Sequence, residues 1–221
     1  MKLHYFLLAA GLSLWHTAMF AGDEPKLWTQ YYQDLKLGGN WHLMSDGGLR
    51  STETFGKFDF FQVRSGLSYD IIPEKLSMEA GAWHSQDFAA NKKEWRPHYQ
   101  FQYVKRTPHL RINLRLRMEE RLVKTEESGR QKSWRPRFLV GLRIPIAHPK
   151  KDIEKKNGLW LGHEQEILWR SNASDGTNFN QYRLIQGLGW TFNKHLELSA
   201  NYFLMFGEEQ QGLWMRLRLK L

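Results

Sequence analysis

From His109 to Val123, apolar and polar residues alternate one for one. Leu110, Ile112, Leu114, Leu116 and Met118 take every second position, and Arg111, Asn113, Arg115, Arg117 and Glu119 stand between them. Residues two apart on a strand share a face, so this spacing predicts a β-strand with one apolar wall and one charged wall. The same period recurs along the chain. Phe61, Val63, Leu67, Tyr69 and Ile71 alternate with Gln62, Arg64, Ser68 and Asp70. Trp95, Tyr99, Phe101 and Tyr103 alternate with Arg96, His98, Gln100 and Gln102. Leu213, Met215, Leu217, Leu219 and Leu221 alternate with Arg216, Arg218 and Lys220. Helical spacing is weak throughout, and the fold class is all-β.

The periodic runs are about 9 to 14 residues long, beyond the roughly 5–6 usual in globular sheets. They suit the roughly 9–11 residues of a tilted strand that crosses a membrane. The connections alternate in length. Pro73 to Lys75, Thr107 to His109 and Asn193-Lys194 are short; Ser85 to Glu94, Lys124 to Ser133, Ser171 to Asn178 and Gly207 to Gly212 are longer and polar. Short turns on one rim and long loops on the other predict a closed antiparallel transmembrane β-barrel. Ala147 to Asn157 is long for the short-turn rim and fits least well. Bacterial single-chain barrels take even strand numbers, which sets the expectation at about twelve. Asp46-Gly47-Gly48 decides the count: as a tight hairpin turn it gives twelve strands, and inside an outer loop it leaves about ten.

In lipid no backbone polar group can go unpaired, so a sheet must close on itself. The outward row is then apolar and the inward row free to be charged; a charge facing acyl chains at mid-depth costs roughly 2–4 kcal/mol. Trp28, Trp41, Trp95, Trp134, Trp169 and Trp190 are candidates for the aromatic girdles at the two interfaces. A soluble periplasmic lipid-binding barrel has the same period with the faces reversed, apolar inside and polar outside. The mean hydropathy of −0.61 fits either, since only one face of each strand is apolar.

The formal charge of +9 alone would suggest an anionic partner such as nucleic acid. The N-terminus points elsewhere. Lys2, the apolar run Tyr5 to Trp15 and the small residue Ala21 read as an export signal, too short to span a bilayer. Residues 1–21 are therefore the expected signal peptide and 22–221 the barrel domain, placed in the outer membrane of a Gram-negative envelope with no nucleic-acid partner. With no cysteine there is no disulfide framework and no thiolate metal site. The expected partners are outer-membrane lipid and, during insertion, the barrel assembly machinery, which would read the apolar C-terminal strand from Leu213 to Leu221.

The inward row predicts a lumen lined by Arg111, Arg115, Arg117, Glu119, Arg121, Arg135, Arg137, Arg143, Glu164, Glu166, Arg183 and Glu197, with Glu79 as a further partner. Arginine forks pair bidentately with carboxylates, so such a lumen can be filled by its own ion pairs. Rings of Arg also suit a narrow path for a small anionic solute. A lipid-modifying enzyme is the alternative. His163, Ser171, Asn172 and Asp175 are its candidate residues, but their spacing forms no nucleophile motif, and Ser, Asn, Asp and Gly are ordinary turn formers. No histidine pair has metal-ligand spacing with an acid. No catalytic residue, metal or cofactor is expected.

Five stretches carry a family resemblance: RSGLSYDI (64–71), LRLRMEERL (114–122), WRPRFLVGLRIPI (134–146), GHEQEILW (162–169) and FNQYRLIQGLGWTF (179–192). In these the chain resembles the bacterial envelope family catalogued as domain of unknown function 2490. The resemblance covers nearly the whole mature chain. It implies an outer-membrane β-barrel of unassigned activity and supplies no catalytic residue.

Overall fold

The computed structural model describes residues 25–51, 57–126, 129–147, 158–172, 176–207 and 210–221. The expected signal peptide, 1–21, lies outside the described residues. Among the described residues there is no helix, and eleven strands follow one another: β1 (Lys26–Gly38), β2 (Trp41–Ser51), β3 (Phe58–Ile72), β4 (Leu76–Asp87), β5 (Lys92–Arg106), β6 (Arg111–Thr125), β7 (Gly129–Ala147), β8 (Gly158–Asn172), β9 (Gly176–Thr191), β10 (Leu196–Phe206) and β11 (Gln210–Lys220). Each pairs antiparallel with the next, and β1 pairs with β11 to close a barrel.

The count is eleven, neither twelve nor ten, and the barrel is not wholly antiparallel. In a meander every strand reverses the one before, so an odd number brings the first and last strands together running the same way. β1 and β11 accordingly pair in parallel, Lys26 beside Gly212 through Asp34 beside Lys220. The same parity puts the start of β1 and the end of β11 on opposite rims.

Asp46-Gly47-Gly48 produces the odd number, because it forms no turn. It runs straight through β2, with Gly47 paired to Tyr31 on one side and Val63 on the other. Two constraints hold it extended. Asp46 is buried, taking Gln30 Nε2 at 2.7 Å and the Arg64 guanidinium. A side chain at Gly48 would meet the Thr29 carbonyl oxygen at 2.4 Å, so glycine here serves close approach of β1 rather than a turn. The tight turn falls earlier, at Gly38-Gly39, both with positive φ.

The polar stretches expected as long loops are largely strand. β5 begins at Lys92 and β7 at Gly129, so the β4–β5 connection is Phe88 to Asn91 and the β6–β7 connection spans 126–128. Cross-strand pairing continues into these segments because most inward positions there are polar and still find partners: Glu94 on β5 is buried against Arg96 and Arg121.

Apolar side chains face outward and most charged ones face inward. Leu67, Tyr99, Phe101, Leu116, Leu188 and Leu198 are exposed on the outside, while Glu79, His98, Arg117, Glu119, Arg135 and Glu166 are buried inside.

Candidate functional site: the charged lumen

β6 brings Arg111, Arg115, Arg117, Glu119 and Arg121 inward in one column, because they are spaced by multiples of two. The register with β7 sets Arg137 opposite Arg117 and Arg135 opposite Glu119. Like charges directly opposite repel. Glu119 relieves this by standing among three guanidiniums: its Oε2 accepts from Arg135 Nη2 at 2.6 Å, and its Oε1 accepts from Arg137 Nη1 at 2.6 Å and from Arg117 Nη1 at 3.4 Å. Glu166 on β8 repeats the device, accepting from Arg137 Nη2 at 2.7 Å and Arg115 Nη2 at 2.7 Å, with Arg183 Nη1 at 3.5 Å. Arg137 thus bridges two carboxylates on the strands either side of it. Glu94 takes Arg96 at 2.6 Å and Arg121 at 2.5 Å. Glu197 takes Arg143, and Glu164 takes Arg216 across the lumen at 2.8 Å. Arg111 is buried at the start of β6, opposite Arg143. Glu79 accepts from Gln100 at 2.7 Å and lies 2.9 Å from His98 Nε2.

A cavity of about 670 Å³ runs beside this lattice. Its lining reaches Ser51, Asp87 and Lys92 near one rim and Glu74, Lys75, Arg106 and Lys220 near the other. Eleven of the twelve charged residues expected in the lumen line it; Glu197 instead packs beside it through Arg143. The lining carries seventeen Lys and Arg against ten Asp and Glu, and this cationic excess survives the addition of Glu197.

Several inward groups escaped the sequence reading of the lumen. Asp46 and Arg64 form an ion pair on β2 and β3, and Arg50 lies 4.0 Å over the ring of Trp28 with its guanidinium donating to Gln62. More consequential is an apolar cluster inside the barrel, made of Trp28, Ile185, Phe203, Met205 and Trp214. Trp28 belongs to no girdle: it is 3% exposed and stacks on Phe203 at 4.1 Å. The sequence signal was there in the unbroken apolar run Tyr202 to Phe206, where both faces must be apolar. Arginines cover the inward indoles, Arg96 3.7 Å over Trp83, Arg143 4.2 Å over Trp160 and Arg216 3.7 Å over Trp214. Gly189 makes room for Trp160, whose ring would lie 2.0 Å from any Cβ there.

The enzyme candidates do not assemble. His163 and Ser171 both face outward, eight positions apart on β8, which is about 26 Å along a strand. Asp175 lies outside the described residues, and nothing is described of the Asn172 side chain. Among the described residues no group of His, Asp and Glu is arranged to hold a metal ion.

Residues 26–216 match the model of a family described as "Protein of unknown function (DUF2490)". No curated protein is matched by the sequence. A solved structure described as "Bacterial polysaccharide outer membrane secretin" resembles the chain with a TM-score of 0.50 at 9% identity, over 80% of this chain and 72% of that one, a likeness of fold alone.

Proposed function

We propose that this chain, which belongs to the DUF2490 family, is an exported barrel of the bacterial outer membrane whose lumen is a narrow, anion-selective path. Two features support the location. Apart from a polar patch on β8 and β9, the outward face is largely apolar in the middle, and aromatic residues stand toward both rims: Trp41, Tyr69, Trp190 and Phe192 at one, Trp95, Trp134, Phe179 and Phe206 at the other. The solved structure of similar fold is described as that of an outer-membrane protein, in keeping with that placement. Insertion would use the alternating C-terminal strand, Leu213 to Leu221, as the segment read by the assembly machinery.

The observation that carries the transport reading is the cavity lined from rim to rim with an excess of seven cations. Lined in this way, a path raises the local anion concentration and disfavours cations. The ion-pair lattice of β5 to β8 is then its rigid wall, and the aromatic cluster on β1, β9, β10 and β11 narrows it from the other side.

Reconstitution in planar bilayers tests this. The expected result is a small single-channel current with a reversal potential favouring anions. A folded, heat-modifiable barrel that passes no current would make the lumen a structural plug. Recovery of the folded protein in the soluble periplasmic fraction would reject the membrane location.

A further inference from the structure

The outward wall departs from its apolar pattern in the middle of β8 and β9. His163 and Gln165 stand between Leu161 and Ile167 along β8, and Gln186 stands between Leu184 and Leu188 on β9. His163 is directly opposite Gln186 in the ladder, and Gln165 is opposite Leu184. The neighbours on β7 are Val140 and Leu142. A polar island of three side chains thus has aliphatic neighbours along its own strands and on β7, with Tyr202 beside Gln186 on β10.

The island does not satisfy itself. Gln165 Nε2 lies 2.8 Å from His163 Nε2, and Gln186 Nε2 lies 3.0 Å from His163 Nδ1. A neutral imidazole has one donor and one acceptor nitrogen, and an amide nitrogen only donates. Both contacts are hydrogen bonds only if one amide turns its carbonyl to the ring. At least three amide N–H groups and one carbonyl oxygen then have no partner within the trio. Acyl chains offer none. Polar groups kept at such a depth serve a contact, and in membranes they bind one protein segment to another.

Resting on the outer-membrane reading above, we propose that His163, Gln165 and Gln186 form the centre of a two-fold contact with a second copy of this chain in the membrane plane. Three points select that occupant. Lipid headgroups lie at the interfaces, beyond the aliphatic residues on either side of the trio. Every copy inserts with one orientation, so a two-fold axis along the membrane normal places each island opposite its own counterpart at the same depth. The island carries both donors and acceptors and, with the imidazole neutral, no charge, so it complements itself.

The absence of cysteine makes the test direct. Leu184→Cys sits beside Gln165, and Phe101→Cys on β5 provides a site in another part of the wall. Isolated outer membranes are treated with a short thiol-specific bifunctional reagent. The expected product is a species of twice the chain mass for Leu184→Cys and none for Phe101→Cys. Joint replacement of His163, Gln165 and Gln186 by Leu, in a barrel still heat-modifiable on a gel, should lower that product about tenfold. The inference is overturned by a folded, membrane-located Leu184→Cys chain that gives no dimer, by a dimer indifferent to the triple replacement, or by an adduct with a different protein. Those outcomes leave the membrane reading standing. Recovery of the chain in the soluble fraction removes both.

Discussion

Arg137 on β7 sets one guanidinium nitrogen against both oxygens of Glu166 on β8, at 2.7 and 2.8 Å, while its other terminal nitrogen reaches Glu119 on β6. One side chain therefore ties three consecutive strands. Glu119 is the second hub, with Arg135, Arg137 and Arg117 around it. Removing its carboxylate leaves three buried cations under-compensated, a loss of roughly 3–5 kcal/mol. Glu119→Ala should lower the melting temperature in detergent markedly. Glu120→Ala, one residue on and paired with the largely exposed Lys132, should cost less than about 1 kcal/mol. Equal effects of the two would show that the lattice does not stabilise the barrel.

The odd strand number has a consequence that cells can report. β1 starts at one rim and β11 ends at the other. With the short turns toward the periplasm, an epitope placed just before Lys26 should be labelled by antibody on intact cells. One placed after Leu221 should be labelled only after the outer membrane is opened. Both tags responding alike would require an even number of strands.

Closure depends on close approach at the parallel seam. A Cβ at Gly212 would sit 2.0 Å from the carbonyl oxygen of Lys26 and 2.7 Å from its nitrogen, and backbone cannot step aside as a side chain can. Gly212→Val should prevent β1 from docking and abolish heat-modifiable mobility. Gly47→Ala is the comparison, because its Cβ would meet the Gln62 carbonyl at an ordinary 3.7 Å. That variant should fold.

Trp28 and Trp95 look alike in sequence and should behave differently. Trp28 stacks inside the barrel, whereas Trp95 faces outward at 54% exposure. Trp28→Ala empties part of the inner cluster and should cost about 3–5 kcal/mol. Trp95→Ala should leave chemical denaturation in detergent nearly unchanged.

Selectivity can be tested without disturbing the lattice. Lys75, exposed in the turn between β3 and β4, lines the cavity toward the short-turn rim. Lys75→Glu takes two charges from the cationic excess at that mouth. The reversal potential in a salt gradient should move toward cation permeation, with the barrel still folded. An unmoved potential would place the ion path away from this mouth.

The sequence by itself determined the class of fold and which residues share a wall. Strict alternation in segments such as Leu110 to Met118 admits only a strand, and Arg111, Arg115, Arg117 and Glu119 share a parity that fixes them on one face. Turn chemistry at Pro73 to Lys75 and at Thr107 to His109 marked one rim. The strand count needed the tertiary structure, since Asp46-Gly47-Gly48 is equally good as a turn or as a glycine-lined strand. The choice was made by neighbours distant in sequence: Arg64, which draws Asp46 inward, and Thr29, which presses on Gly48. The same holds for Trp28, whose inward position is set by Phe203 and Trp214, more than 170 residues away along the chain. Which arginine meets which carboxylate was also undecided by period, because alternation gives the face of a residue and register gives its partner. Register arises from the whole closed set of eleven strands, so Arg137 could find Glu119 and Glu166 only once β6, β7 and β8 lay side by side.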